Sequence, residues 1–294
     1  MLDCLVIGGG AAGLMAAVYL GRYRRTVAVI DDGGSRVAMI PKTRNVLGFP
    51  DGIAGPQLLD NMRLHAARFG AAVETGRVRR LERRADGAFE AAAGTRTLSA
   101  RYVLLATGAR DVEPAVAGLR PALKGGQVRY CPVCDGFETQ GQRVAVLGPD
   151  THGLREAAFL AHFGNQVTWL SMGTRHAVPE SELVRLHAAG VQVADAPPRD
   201  IQCLPGKGVA VALEDGQVLA FDVMYPALGL THACELATEL GAHALDDGQL
   251  AVDDHFETTV PGLYAAGDVA AGLNQINVAA GQAAIAATAI HNRL

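Results

Sequence analysis

The sequence predicts an α/β protein made of two Rossmann-like units. Three observations carry that expectation. A strand, glycine turn, helix and strand open the chain, and the same pattern returns near its middle at the same spacing. The composition is rich in apolar residues and Gly and poor in aromatics, which suits apolar strands joined by tight turns. At 294 residues there is material for about two domains.

The first unit starts with the short, mostly apolar run Leu2–Ile7, a strand, which ends in Gly8-Gly9-Gly10-Ala11-Ala12-Gly13. An Ala/Leu-rich helical stretch follows to about Leu20, then a strand over 26–30, with Asp31 at its end. Gly8, Gly10 and Gly13 fit GxGxxG, and Asp31 lies 23 residues beyond Gly8. Alone the glycines say little; strand, helix and terminal acid together make a dinucleotide turn. Bare backbone can approach a pyrophosphate there, the helix start offers unpaired N–H groups, and Asp31 can accept hydrogen bonds from ribose hydroxyls.

The second unit runs from a strand at 143–147 through Gly148-Pro149-Asp150-Thr151-His152-Gly153 into a helix from about 154 to 162 and a strand over 167–170. Its spacing repeats and its chemistry does not. Asp150 stands where the middle Gly belongs, and the residue 23 beyond Gly148 is Ser171. Two like charges ~4 Å apart repel by roughly 4 kcal/mol at an effective dielectric of ~20. That is about a thousandfold in affinity for a pyrophosphate if the Asp150 side chain cannot turn away. Only Arg175 and His176 offer basic character after this strand. The unit reads as a nucleotide fold whose ligand is lost or altered.

Two later strands, at 102–105 and 263–266, end in Ala106-Thr107-Gly108 and Gly267-Asp268. An acid at such a strand end can bind the ribityl chain of FAD. The Ala-rich helix after Gln275 would aim its N-terminus at the flavin ring, favouring the anionic reduced form. Between the two turns lies Cys131-Pro132-Val133-Cys134, followed by Asp135 and Gly136. A dithiol at this spacing closes into a disulfide and can exchange two electrons with a flavin. Pro132 suits the first position of a helix, whose N-terminus would enrich the thiolate. Structural zinc needs four ligands, and no second Cys pair stands at a suitable spacing, so no metal is expected.

The formal net charge of −4 argues against nucleic acid, and the basic clusters at Arg22, Arg24 and Arg25 and at Arg77, Arg79, Arg80, Arg83 and Arg84 read as solvated surface. Five Cys with one close pair do not form a secreted disulfide framework. Cys4 is expected in a buried strand, and Cys203 and Cys234 as ordinary core or surface residues. The first strand begins too early for a signal peptide, and no apolar stretch reaches the ~20 residues of a membrane helix. A soluble cytoplasmic protein is expected.

With these residues in place the chain resembles the low-molecular-weight thioredoxin reductases over nearly its whole length. The likeness rests on GGGAAG at 8–13, ATG at 106–108, Cys-x-x-Cys-Asp-Gly at 131–136 and AAGDV at 265–269. It implies an FAD-binding domain, 1–111 and 242–294, interrupted by an inserted NAD(P)H-binding-like domain, 112–241, that carries the redox pair. It implies that Cys134 faces the flavin, Cys131 attacks the partner disulfide and Asp135 handles the interchange proton. Gly8, Gly10, Gly13, Asp31 and Asp268 match FAD contacts; Ala12, Thr107, Gly108, Gly267 and Gln275, on the same turns, complete the candidate cofactor set. A homodimer and a rotation of the insert between flavin and partner are implied likewise.

The departures from that family carry information. Asp150 replaces a glycine of its NADPH turn, and its His-Arg-Arg run is absent at 171–173. Its Arg-Gln pair before the last helix is Asn274-Gln275 here. The first two count against NADPH. Relatives without NADPH motifs include ferredoxin-linked reductases and oxygen-using dithiol oxidases; Asp135, where the oxidases often carry His, leans toward the reductases. The leading expectation is therefore an FAD-dependent thiol-disulfide oxidoreductase served by a ferredoxin-type donor or a dithiol/oxygen couple. Its partner would be a thioredoxin-like protein or a small disulfide or dithiol. The alternatives are an NAD(P)H-dependent reductase with an altered nucleotide site and a flavin redox sensor without turnover.

Overall fold

A computed structural model describes residues 1–204 and 206–294. The chain opens with β1 (Leu2–Ile7), α1 (Ala11–Arg22), β2 (Val27–Asp31), α2 (Gly55–Arg68) and β3 (Ala72–Thr75). It then runs through β4 (Val78–Arg83), β5 (Phe89–Ala93), β6 (Arg96–Leu105) and β7 (Ala109–Asp111). A middle stretch holds α3 (Leu119–Lys124), α4 (Pro132–Asp135), β8 (Arg143–Leu147), α5 (Asp150–Ala161), β9 (Gln166–Leu170), α6 (Glu180–Ala188) and β10 (Gln192–Ala194). After it come β11 (Pro198–Leu204), β12 (Gly208–Leu213), β13 (Val218–Phe221), β14 (Val223–Pro226) and β15 (Leu230–His232). The chain ends with α7 (Glu235–Thr238), β16 (Leu263–Ala265) and α8 (Ile276–Asn292).

Two compact units result. One comprises Met1–Ile40, Val46–Arg110 and Thr231–Leu294; the other comprises Pro41–Asn45 and Asp111–Leu230. The expected return to the first domain at 242 lies eleven residues later than the observed one at 231. The reason is α7, which buries Ala237 in the first unit's core alongside Ala242 and Leu250. Pro41–Asn45, expected with the first domain, groups with the second unit.

In the first unit the strands run in the order β3-β2-β1-β6-β5-β4, with β16 also paired to β6. β1 is parallel to β2 and β6, whereas β5 is antiparallel to β4 and to the first half of β6. β1 sends Cys4 and Val6 into one core and Leu5 and Ile7 into the other, which is why Cys4 to Ile7 is an unbroken apolar run. Helices α1, α2 and α8 cover the Cys4 face. Leu14 and Leu20 of α1 are fully buried there, each contributing on the order of 2 kcal/mol. Ala279, Ala283, Ala286 and Ala287 of α8 lie in the same core, and their small side chains let that helix pack closely.

Register places the site. Ile7 stands opposite both Ile30 and Leu105, and Leu105 stands opposite Ala265. The C-terminal ends of β1, β2, β6 and β16 are therefore level. The connection reverses direction at β1, since β2 lies on one side of it and β6 on the other, and such a switch point opens a ligand crevice.

The second unit has a parallel sheet, β10-β9-β8-β14, and an antiparallel one, β11-β12-β13. Leu147 is opposite Leu170 and Pro226, so here too the strand ends are level. Helix α5 starts at Asp150, four residues before the expected 154. Asp-Thr-His-Gly carries no apolar helical pattern, and its Gly is a weak helix former. Packing overrides it: Gly153 is pressed against Gly148, so the first turn is wound before the apolar pattern begins. Among the described residues no helix is long and apolar enough to cross a membrane, and no group of three or more His, Cys, Asp or Glu could hold a metal.

Candidate active site

The turn after β1 has the close packing that its glycines require. Gly8 has φ +107°, and a Cβ there would lie 2.2 Å from the Ala106 carbonyl oxygen. A Cβ on Gly13 would lie 1.9 Å from the Gly8 oxygen. Gly267 packs on Ala12, its absent Cβ 3.1 Å from that methyl group. The structure thus brings 8–13, Ala106-Thr107-Gly108 and Gly267-Asp268 together. Gly10 is the N-cap of α1, and no side chain caps that helix. Its first-turn N–H groups form a backbone cradle for an anion.

Asp31 turns inward at the end of β2. Its Oδ1 accepts from the N–H of Gly9 (3.2 Å) and of Gly33 (3.1 Å), and its Oδ2 pairs with Arg63 at 3.1 Å. It therefore braces the glycine turn. Asp268 pairs with Arg36 at 2.7 Å, and its carbonyl lies 2.6 Å from His232 Nδ1. The Thr107 hydroxyl donates to the Ala233 carbonyl at 2.6 Å. Gln275 is the N-cap of α8, again without a side-chain cap bond.

Sequence reasoning missed Arg36, Arg63 and Gln282. Gln282 is buried; its Oε1 accepts from the Gly267 N–H (2.8 Å) and its Nε2 donates to the Ala271 carbonyl (3.3 Å), fixing the Gly267-Asp268 turn. The signal was present: an amide in the Ala-rich middle of a helix must find partners once buried. No comparable signal marks the two arginines. An anion cradle, crowded glycines and the acids Asp31 and Asp268 fit a dinucleotide carrying a pyrophosphate, ribose and polyol, as FAD does.

The second glycine turn keeps the same skeleton. A Cβ on Gly148 would lie 2.3 Å from the Ala227 oxygen, and one on Gly153 would lie 2.4 Å from the Gly148 oxygen. The indole N–H of Trp169 donates to the Gly148 carbonyl at 2.8 Å. Asp150, exposed and at φ +53°, occupies left-handed backbone. Its N–H is taken by the Thr174 hydroxyl at 2.8 Å, and that hydroxyl donates to the Ser171 carbonyl at 2.7 Å. Ser171 in turn hydrogen-bonds the Asp195 carboxylate, which also accepts from the Arg175 N–H at 3.3 Å. Acids and local hydroxyls thus line the place that a 2′-phosphate would need basic.

Cys131 and Cys134 form a disulfide. Cys131 is the N-cap of α4 and Pro132 its first residue, as the sequence predicts; the helix is a single turn of four residues. The Cys134 N–H donates to the Cys131 carbonyl at 3.0 Å. Asp135 follows at once. Its Oδ1 accepts from the Tyr225 hydroxyl at 2.7 Å, and its Oδ2 lies 3.4 Å from Arg129 Nη1. Burial pushes this carboxyl above the ordinary range, while Arg129 and Tyr225 pull it back. Tyr225 and Arg129 are the other residues that sequence reasoning missed. Val133 and Phe137 stand exposed on either side of Cys134. Cys4 is fully buried, as expected, and Cys203 and Cys234 are half-buried.

The family model for pyridine nucleotide-disulphide oxidoreductases matches residues 2–283. The thioredoxin reductase of Bacillus subtilis is 30% identical over 304 residues, which cover 99% of this chain and 94% of that protein. That of Treponema pallidum is 30% identical, covering 98% and 95%. The crystal structure of thioredoxin reductase from Streptococcus pyogenes superposes with a TM-score of 0.92 at 29% identity, covering 99% and 97% of the two chains. With two nucleotide-type units, a redox-capable Cys pair and this end-to-end likeness, the chain belongs to the pyridine nucleotide-disulphide oxidoreductases, as a thioredoxin reductase-like flavoprotein enzyme with FAD as its cofactor.

Proposed function

We propose that this enzyme is an FAD-dependent thiol-disulfide oxidoreductase that does not use NADPH efficiently, and that a ferredoxin-type donor or a dithiol/oxygen couple serves it instead. The observation that carries the proposal is the second glycine turn. Its Asp150 N–H is spent on Thr174, an exposed acid, Asp150, replaces a glycine of the turn, and the acid Asp195 pairs with Ser171, the residue that follows β9. Each feature disfavours a dianionic phosphate.

FAD, when bound, would supply a two-electron couple; the turns at 8–13, Thr107-Gly108 and Gly267-Asp268, with Asp31 and Gln275, would hold it. Two electrons and two protons open the Cys131–Cys134 bond to two thiols. Cys131 gives its proton to Asp135 and, as thiolate, attacks one sulfur of an external disulfide. The external S–S bond breaks, and the leaving thiolate takes the proton from Asp135. Cys134 then attacks the Cys131 sulfur of the mixed disulfide as its proton passes to the departing sulfur, which releases the second external thiol and restores the intramolecular bond. The reverse sequence oxidises an external dithiol. Exposed Val133 and Phe137 give this disulfide an apolar collar suited to a thioredoxin-like protein or a small apolar disulfide. A homodimeric, cytoplasmic enzyme completes the proposal; sedimentation and cell fractionation check it.

The retained skeleton of Gly148 and Gly153 favours a second reading, an NAD(P)H-dependent reductase in which Asp150 swings aside or meets a ribose. One anaerobic experiment separates the two. Excess NADPH, NADH, reduced ferredoxin or a dithiol is added to the yellow protein and the flavin absorbance is followed. Rapid bleaching by NADPH overturns the proposal. Bleaching by dithiol alone, with colour restored by oxygen, identifies the oxidase direction. No bleaching by any donor identifies a redox sensor.

A further inference from the structure

We propose that Tyr225 is the positioning residue for the Asp135 carboxylate, its hydroxyl fixing one carboxylate oxygen and setting the pH at which that group exchanges its proton. The inference rests on the reading of Asp135 as the proton-handling acid.

The geometry begins in β14. All four residues of this strand are buried, and Tyr225 pairs in register with Val146 of β8. The strand alternates: Met224 faces one core of the unit, whereas Val223 and Tyr225 face the other, with Leu154, Ala157 and Leu160 of α5. A tyrosine is an expensive choice for such a position, because burying its hydroxyl without a partner costs roughly 1–3 kcal/mol. Phenylalanine would fill the same space. The hydroxyl has a specific target: it donates to Asp135 Oδ1 at 2.7 Å, the length of a good charge-assisted hydrogen bond. Thr139, fully buried, lies beside the same hydroxyl and is itself held by the Gly136 carbonyl and Asn165. The ring sits on a fully buried strand held in register by β8, so it offers the donor at a constant place.

The other clamp is weaker. Arg129 stands 3.4 Å from Oδ2 and at the same distance from the Asp135 carbonyl, while its Nε donates to the Gly126 carbonyl. The charged groups facing Asp135 are thus Arg129 and Glu138, and Glu138 is 3.8 Å from Arg44. Between an attracting arginine and a repelling glutamate, the neutral hydroxyl is the group that makes the short, directed contact. It remains a donor throughout, because burial and the neighbouring carboxylate push its own ionisation far up.

The test is the titration of the Asp135 carboxyl in the intact flavoprotein, followed by its infrared carboxylate band and identified by loss of that band in Asp135→Asn. Tyr225→Phe removes the hydroxyl and keeps the ring. It should move the midpoint upward by about one pH unit, since a hydrogen bond to the charged form stabilises it by about that much. Replacing Tyr225 with a ring-fluorinated tyrosine, a stronger donor of nearly the same shape, should move the midpoint downward and keeps the test available if Tyr225→Phe folds poorly. An unmoved midpoint in either folded variant overturns the inference. Exchange with a small aromatic disulfide, measured across pH, reads the catalytic premise separately. A midpoint that moves while the rate profile does not would retain Tyr225 as the positioning residue and remove Asp135 from the proton path.

Discussion

Gly13 has no room for a single methyl group, because its Cβ would meet the Gly8 carbonyl at 1.9 Å, backbone against backbone. Gly13→Ala is therefore expected to lose FAD and to be purified largely colourless, a result read directly from visible absorbance; normal flavin content would contradict the assigned cradle. Glu156 of α5 makes a different prediction. Its Oε2 is buried without a partner, and its Oε1 lies 3.5 Å from His152. Burial first, and then the charge of Asp111, push its carboxyl up to about 7. A folded value above the unfolded one means that the native state binds the proton more tightly. The stability this group permits is thus complete below about pH 4.5 and is lost as pH rises through about 7. Glu156→Gln should raise the melting temperature at pH 8, by up to about 3 kcal/mol in stability, and leave it unchanged near pH 4.5. Thermal unfolding at the two pH values checks the sign. The sequence makes Gly13 legible through its motif; Glu156 is one acid of a helix, and only burial distinguishes it.

At the scale of elements, the two glycine turns share a skeleton and differ at their helix starts. α1 offers uncapped N–H groups, whereas the first N–H of α5 is bound by Thr174. Asp150→Gly removes the carboxylate and also suits the left-handed φ of +53°. This variant should bind NADPH at least about tenfold more tightly than the parent, within the roughly thousandfold ceiling that charge repulsion sets. Trp169, the chain's one tryptophan, donates to the Gly148 carbonyl of this very turn, so quenching of its fluorescence reports the binding. No gain in affinity would mean that Thr174 and Asp195, not Asp150, close the site. The strands β1 and β8 coincide with their predicted bounds, because each has four successive apolar residues that lead straight into a glycine turn. The start of α5 was not legible, since its first turn is held by glycine contact rather than by propensity.

For the whole molecule, the residues that suit the flavin lie in one unit and the disulfide with its acid lies in the other. The two functions should separate genetically. Cys134→Ser should abolish exchange with external disulfides and leave FAD content unchanged; surviving exchange would remove Cys134 from its role. Added FAD should raise the unfolding midpoint of flavin-stripped protein by mass action, because a cofactor that binds the folded state and not the unfolded chain stabilises it.

The sequence by itself determined the class of protein, the two units and the redox pair, because glycine turns, apolar strands and a Cys-x-x-Cys are local patterns whose physics needs few distant partners. Tertiary structure alone decided where the chain re-enters the first unit, that Asp31 braces its own turn, that Gln282 and Arg36 shape the Gly267-Asp268 corner, and that Tyr225 meets Asp135 across ninety residues of chain. Those contacts follow from strand register and from the need of buried polar groups for partners, and neither can be located before the chain has folded.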